Sequence, residues 1–275
     1  ILNNYTPGMW LTRAPSFSGS YLRSLSVRAG NLIHFLKWRL WEKITGVRLV
    51  RKIDRLYFDS PIIEENFRRF GYSARSSAVI PEPMEKVPEN IPPAPFKRGA
   101  KTFHAVFAGR LIEDKGPDLL VKAALQLPSA IRIHLIGSGN EEESLRNFIL
   151  RNGLSERVFL YGWKSMPELF SFYKNADVFV QPARWPEPFG RTTADAMACG
   201  TPVIAAENTG SAWVAGDGGI TFKKDSVEDL VRAIMFFYNN PALRVDYAKR
   251  AFVRARDFGA DTISRQFVAD LESLA

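Results

Sequence analysis

A chain of 275 residues, 46% of them apolar, carries enough nonpolar side chain to fill one large core or two smaller ones. No run of about 18 apolar residues occurs, which excludes a membrane-spanning helix, and the opening residues lack the basic-then-apolar pattern of a signal peptide, so a cytosolic protein is expected. The formal charge of +8 calls for an acidic partner: nucleic acid, anionic lipid or a phosphorylated small molecule.

In chain order, the first 20 residues read as loop. Between residues 20 and 53 the cations Arg23, Arg28, Lys37, Arg39, Lys43, Arg48, Arg51 and Lys52 stand against the single acid Glu42, interleaved with Trp38, Trp41 and other apolar side chains. That mixture suits an anionic membrane surface, or a solvated helix packing its tryptophans into a first domain. "RLYFDS", "PIIEENFRRFG" and "SAVIP" then predict strand, helix and strand. "PENIPPAP", residues 88–95, carries four prolines that neither a helix nor a central strand accommodates, and marks a linker. The expected division is a partial N-terminal α/β domain with its linker (1–95), a second domain (96–257) and a last helical segment (258–275).

From residue 103 short apolar runs alternate with amphipathic stretches. "FHAVFAG", "IRIHLIG", "RVFLYG", "DVFVQP" and "TPVIAA" predict strands; "PDLLVKAALQL", "EEESLRNFILRN", "MPELFSFYKNA", "TTADAMAC" and "SVEDLVRAIMFFYNN" predict the helices between and after them. Strands apolar throughout and separated by helices predict a doubly wound parallel sheet covered on both faces. His104 and His134 fall within strands and are expected in the core. The lone cysteine, Cys199, has no partner for a disulfide and is expected to pack as a small hydrophobe.

Ligands of such sheets bind beyond the carboxyl ends of the strands, so the loops there carry the chemistry. "GRLIEDKG" sets Arg110 and Lys115 on one turn before a helix, an arrangement suited to a diphosphate; the alternative is that both pair with Glu113 and Asp114 on a solvated loop. "GSGN" lacks the third glycine of a dinucleotide fingerprint, because Glu142 stands there. "YGWKS" offers Trp163, whose indole either flanks a base or packs. In "WPEPFGRTTADAMACGTPV", Pro186 and Pro188 hold Glu187 stiffly at a strand end. Thr192 or Thr193 would cap the following helix, and Thr192-x-x-Asp195 resembles a capping box.

Together these segments, over about residues 103–255, resemble the donor-binding domain of family-4 glycosyltransferases, retaining enzymes of the two-domain GT-B fold. The matching motifs are "GRLIEDKG", "GSG", "ADVFVQP" and "EPFGRTTADAMACGTPV". The resemblance implies a Rossmann-like α/β domain with a smaller or incomplete N-terminal α/β domain that supplies the acceptor side, and a final helix that crosses back to it. It implies catalytic roles for Arg110, Lys115 and Glu187, the cations neutralising a nucleotide diphosphate and the carboxylate holding sugar hydroxyls. Gly109 and Gly137 would stand in the loops that approach the ligand, Gly162, Trp163 and Lys164 would receive the base, Phe189, Gly190 and Arg191 would offer backbone amides, and Thr192 and Thr193 would face the diphosphate. Asp195 replaces the family's ribose-binding glutamate, so its role is either ribose contact or helix capping. No metal and no cofactor are implied, in keeping with the absence of any Asp-x-Asp sequence. The expected activity is transfer of a sugar from a nucleotide diphosphate sugar to a hydroxyl acceptor, of a glycan or a lipid-linked kind, with retention of configuration. The rivals are a nucleotide-sugar-binding subunit without catalysis, and a nucleic-acid binder, for which no reading motif is found.

Overall fold

The computed structural model describes residues 50–84, 86–96 and 102–274; most of the basic aromatic stretch at 20–53 lies outside them. The chain divides into two compact units, with the boundary between Ile80 and Pro81. The proline-rich stretch at 88–95 therefore lies inside the second unit. Its physical tie there is Phe96, whose ring stacks on His104 at 4.5 Å and on His134 at 4.1 Å between centroids.

In the first unit, β1 (Arg55–Phe58) and β2 (Ser76–Val79) form a parallel pair with α1 (Pro61–Arg69) between them in sequence. Pro61 opens the helix where its missing N–H costs nothing, and Phe67 packs between Phe58 and Tyr72.

The second unit holds six parallel strands: β3 (Phe103–Ala108), β4 (Ile131–Ile136), β5 (Val158–Leu160), β6 (Val178–Gln181), β7 (Val203–Ala206) and β8 (Gly219–Phe222), in the spatial order β5-β4-β3-β6-β7-β8. This is the doubly wound order, in which the chain winds outward one way from the first strand and then the other way from the fourth. Period-two alternation feeds two cores. Phe103, Ala105 and Phe107 of β3 point into one with Val178 and Val180, while Val106 and Ala108 point into the other with Phe179.

The first core is covered by α2 (Pro117–Ala123), α3 (Glu142–Arg151) and α7 (Val227–Asn239). The second is covered by α4 (Met166–Asn175), α5 (Arg191–Ala198), α6 (Gly210–Ala215) and α8 (Pro241–Ala255), and α9 (Ala260–Glu272) ends the chain. Small side chains at Ala194, Ala196 and Ala198 bring α5 close to the sheet, and all three are buried. His104 and His134 are buried as expected, and half-buried Cys199 packs beside the second core.

Candidate functional site

β3 and β6 are neighbours from which the chain departs in opposite directions, so the loops after them diverge and leave a crevice at the switch point. These are the loops that carry Lys115 and Glu187. Lys115 ends a short 3-10 turn (Glu113–Lys115). Its Nζ is bonded to Oε1 of Glu187, so the alternative pairing of Lys115 with Glu113 or Asp114 is not the one formed. Glu187 is 3% exposed, and its Oε2 accepts a 2.6 Å hydrogen bond from the Ser211 hydroxyl at the start of α6. A carboxylate this buried costs several kcal/mol unless both oxygens are satisfied, roughly the penalty of an unpaired interior ion. Lys115 and Ser211 satisfy one each.

The stiffness of the "WPEPFG" loop has visible causes. The Glu187 N–H donates to Trp185 O at 2.8 Å, and Glu187 O accepts from Gly210 N at 2.9 Å. Phe189 is driven into the core, edge-on to Trp213 and Phe258. Gly190 then takes φ 105, and a Cβ there would run into Ser211, so only glycine passes. Loops β3–α2 and β4–α3 are also interlocked, with Leu111 N donating to Ser138 O and Glu141 N to Leu111 O, and Gly137 N ties the end of β4 to the β5–α4 loop at Gly162 O, each at 2.9 Å.

Other expected site residues are arranged as follows. Arg110 is exposed, and no ion pair is formed by its guanidinium among the described residues; Gly109 precedes it at the strand end. Trp163 is 75% exposed beyond β5, beside Gly162 and half-buried Lys164, whose Nζ lies 3.7 Å from Glu168. Arg191, the first residue of α5, is exposed, and Thr192 Oγ1 lies 3.4 Å from Gln181 Nε2.

The expected caps are not formed. Gly190 occupies the cap position, Thr193 N and Ala194 N both donate to Gly190 O, and Thr192 and Thr193 lie inside the first turn. Asp195 is therefore the fifth residue of the helix and too far along to cap it, which corrects the capping-box reading. Thr193 and Asp195 are 0% and 2% exposed, so neither side chain lies at the open surface of the crevice. Burial pushes the Asp195 carboxyl up to about 7, with Arg191 opposing. Among the described residues no group of three or more His, Cys, Asp or Glu is placed to hold a metal ion.

Sequence reading did not find Ser211 or Arg184. Neither sits in a local pattern that points to the crevice; Arg184 reaches Asp118 across 66 positions of chain and Ser211 reaches Glu187 across 24.

Glycosyl transferases group 1, as a family, match residues 92–254, more than half the chain, and the protein belongs to that family. A D-inositol 3-phosphate glycosyltransferase of Pseudarthrobacter chlorophenolicus is 36% identical over 167 residues, which cover 58% of this chain and 40% of that relative. The chain thus spans about two fifths of the length of curated relatives it matches. Among solved structures, sucrose-phosphate synthase of Thermosynechococcus elongatus superposes with a TM-score of 0.74 at 26% identity, covering 84% of this chain and 61% of that one. The Anabaena protein HepE, solved in complex with UDP-glucose, superposes with a TM-score of 0.69 at 24% identity, covering 86% and 68%. The fold is the parallel α/β arrangement of GT-B glycosyltransferases.

Proposed function

We propose that the chain carries the donor site of a glycosyltransferase that moves a sugar from a nucleotide diphosphate sugar to a hydroxyl acceptor with retention of configuration and without a metal. The observation that carries this reading is the Lys115–Glu187 pair, backed by Ser211, at the switch point of a family member's sheet. The carboxylate is suited to sugar hydroxyls, which need a fixed acceptor. Lys115, the exposed Arg110 and the first turn of α5 are suited to the diphosphate.

As the bond from the anomeric carbon to phosphate breaks, negative charge grows on the leaving oxygen. Preorganised cations and helix amides stabilise that charge more than the ground state. Lys115 changes partner in this scheme: paired to Glu187 in the free protein, it is shared with phosphate when donor arrives. The exposed Trp163 indole and the Gly162 backbone offer a flat wall and polar groups to the base. The basic aromatic stretch at 20–53 suits attachment to an anionic bilayer and hence a lipid-linked acceptor. Liposome flotation tests that part, since equal recovery on neutral and anionic vesicles would contradict it.

UDP-glucose, the ligand in the HepE structure, is the first donor to try. The chain is incubated with UDP-glucose and other nucleotide sugars, with sugar and lipid acceptors, and free nucleoside diphosphate is measured. Turnover is expected, falling about 10²-fold or more in Glu187→Gln and Lys115→Ala. Donor binding without turnover under every acceptor would replace the enzyme with a binding subunit.

A further inference from the structure

Beside the Lys115–Glu187 pair, four segments meet on one guanidinium. Arg184 follows β6 and its side chain is 23% exposed. Its Nη1 and Nη2 donate to Asp118 Oδ1 and Oδ2 at 2.6 and 2.8 Å, its Nε to Asp225 Oδ1 at 2.7 Å, and Nη1 again to Glu113 O at 2.9 Å. Its backbone is held as well: Arg184 N and Trp185 N both donate to Asp114 O, at 2.9 and 3.1 Å, and Lys224 Nζ donates to Arg184 O at 3.2 Å.

The partners are informative. Glu113 and Asp114 lie on the turn that ends in Lys115, Asp118 is in the first turn of α2, and Lys224 and Asp225 form the turn before α7. Gly116, next to Lys115, takes φ 65, and a Cβ there would strike Pro182 O, so the two backbones touch. None of these side-chain bonds goes to Lys115 or Glu187, yet Glu113, Asp114 and Asp118 stand one to three positions from Lys115, Arg184 itself stands three from Glu187, and Asp225 braces the guanidinium from the turn before α7. A planar guanidinium with five fixed donors can span such a set, whereas an ammonium cannot hold Asp118 in the same forked way. Burial pushes the Asp118 carboxyl up, and the bonds and charges of Arg184 and Lys122 more than offset it, leaving the group below its ordinary value and ionised.

We infer that Arg184 is a positioning residue: through Asp118 and the Glu113 and Asp114 carbonyls it fixes the Lys115 loop against the Glu187 loop, with Asp225 bracing the guanidinium, and thereby sets how firmly the sugar end of a nucleotide sugar is held. The inference rests on the donor-site reading proposed above. It makes a distinction that a purely structural arginine would not. Loosening the latch separates Lys115 from Glu187 and weakens the sugar subsite, while the nucleotide end, where Lys115 is only one contact beside Arg110, the Trp163 loop and the α5 terminus, changes less.

The test is calorimetry of UDP and UDP-glucose on wild type, Arg184→Lys, Glu187→Gln and the double variant, with hydrogen exchange followed on the unliganded proteins. Arg184→Lys is expected to lower the UDP-glucose to UDP affinity ratio about tenfold, and to lower it no further when Glu187→Gln is already present. Amides on both loops, residues 110–116 and 184–190, should exchange faster together. An unchanged ratio in folded Arg184→Lys, or an equal fall in both backgrounds, would overturn the inference. If wild type binds neither probe, the donor-site reading fails, and the exchange data judge the latch alone: unaltered protection of both loops refutes it.

Discussion

Thr102, His104, His134 and Tyr161 form a hydrogen-bonded chain on one face of the sheet, whereas Lys115, Glu187, Arg184 and Asp118 gather as ions at the carboxyl ends of β3 and β6. In the first cluster, His104 Nδ1 meets His134 Nε2 and His134 Nδ1 meets the Tyr161 hydroxyl, both at 2.9 Å, under the rings of Phe96, Phe159 and Phe172. Burial removes charge there. It pushes His134 down to about 3, with His104 and Arg132 adding to the effect, and pushes Tyr161 up to about 12. At the crevice, charge is kept by pairing each ion with another, at the carboxyl ends of the strands. Groups held neutral, as His134 and Tyr161 are, suit a buried core. A paired ionic network leaves groups that can exchange a protein partner for a ligand one.

The difference should be visible in stability against pH. The folded-state pKa of His134 lies below the usual 6.5, so below about pH 6.5 the unfolded chain takes up a proton that the folded chain refuses. Stability is complete above that pH and falls on acidification until about 3, at up to about 1.4 kcal/mol per pH unit. Urea unfolding at a series of pH values should show this slope in wild type and a reduced one in His134→Phe. Equal slopes would mean that the cluster is not held neutral by the fold.

Asp195 predicts the opposite sign. Its folded-state pKa is raised from 3.8 to about 7, so the folded chain binds the extra proton between those values and stability declines as pH rises through them. Asp195→Asn should remove that decline, giving a variant that gains on wild type between about pH 4 and 7 by an amount slightly smaller than the histidine effect. Because the two slopes oppose each other in the overlapping window, each variant exposes the contribution of the other group.

In the ionic cluster, Lys115→Ala leaves Glu187 buried with Ser211 as its one side-chain partner among the described residues, and should cost about 3 kcal/mol in the absence of ligand. Glu187→Gln should cost less, since no ion is then stranded in the interior. The smallest effect belongs to exposed pairs such as Arg146–Glu142 on α3, where Arg146→Ala should change stability by less than about 0.5 kcal/mol. A larger loss there than at Lys115 would break the contrast between buried and solvated charge.

The strands and most helices of the second unit were legible because each is a local pattern: six apolar residues at 103–108, an amphipathic period over 142–151, a proline at the first turn of α2. α8 was not, because its face toward the core is made of Ala251 and Ala255, which carry no strong hydrophobic period. β8 and α6 were missed for brevity and for the glycines in and between them, 210, 216, 218 and 219. At the crevice, Lys115 and Glu187 could be singled out from the sequence because stiff loops and cations near helix starts have a local signature, whereas their pairing with each other could not. The cap of α5 could not: Gly190 holds its unusual φ by packing on Ser211, a contact made only once β7 lies beside β6. Arg184 reads as one more surface cation until folding brings Asp118 and Asp225 to it.

If the Lys115–Glu187 pair forms one wall of a nucleotide-sugar site, calorimetric titration of UDP into wild type and Lys115→Ala will separate the two proteins. A charge-assisted bond to phosphate predicts that the variant binds about tenfold or more weakly, with the loss shrinking as salt rises. Identical affinity in the two proteins, with both folded, would contradict the claim.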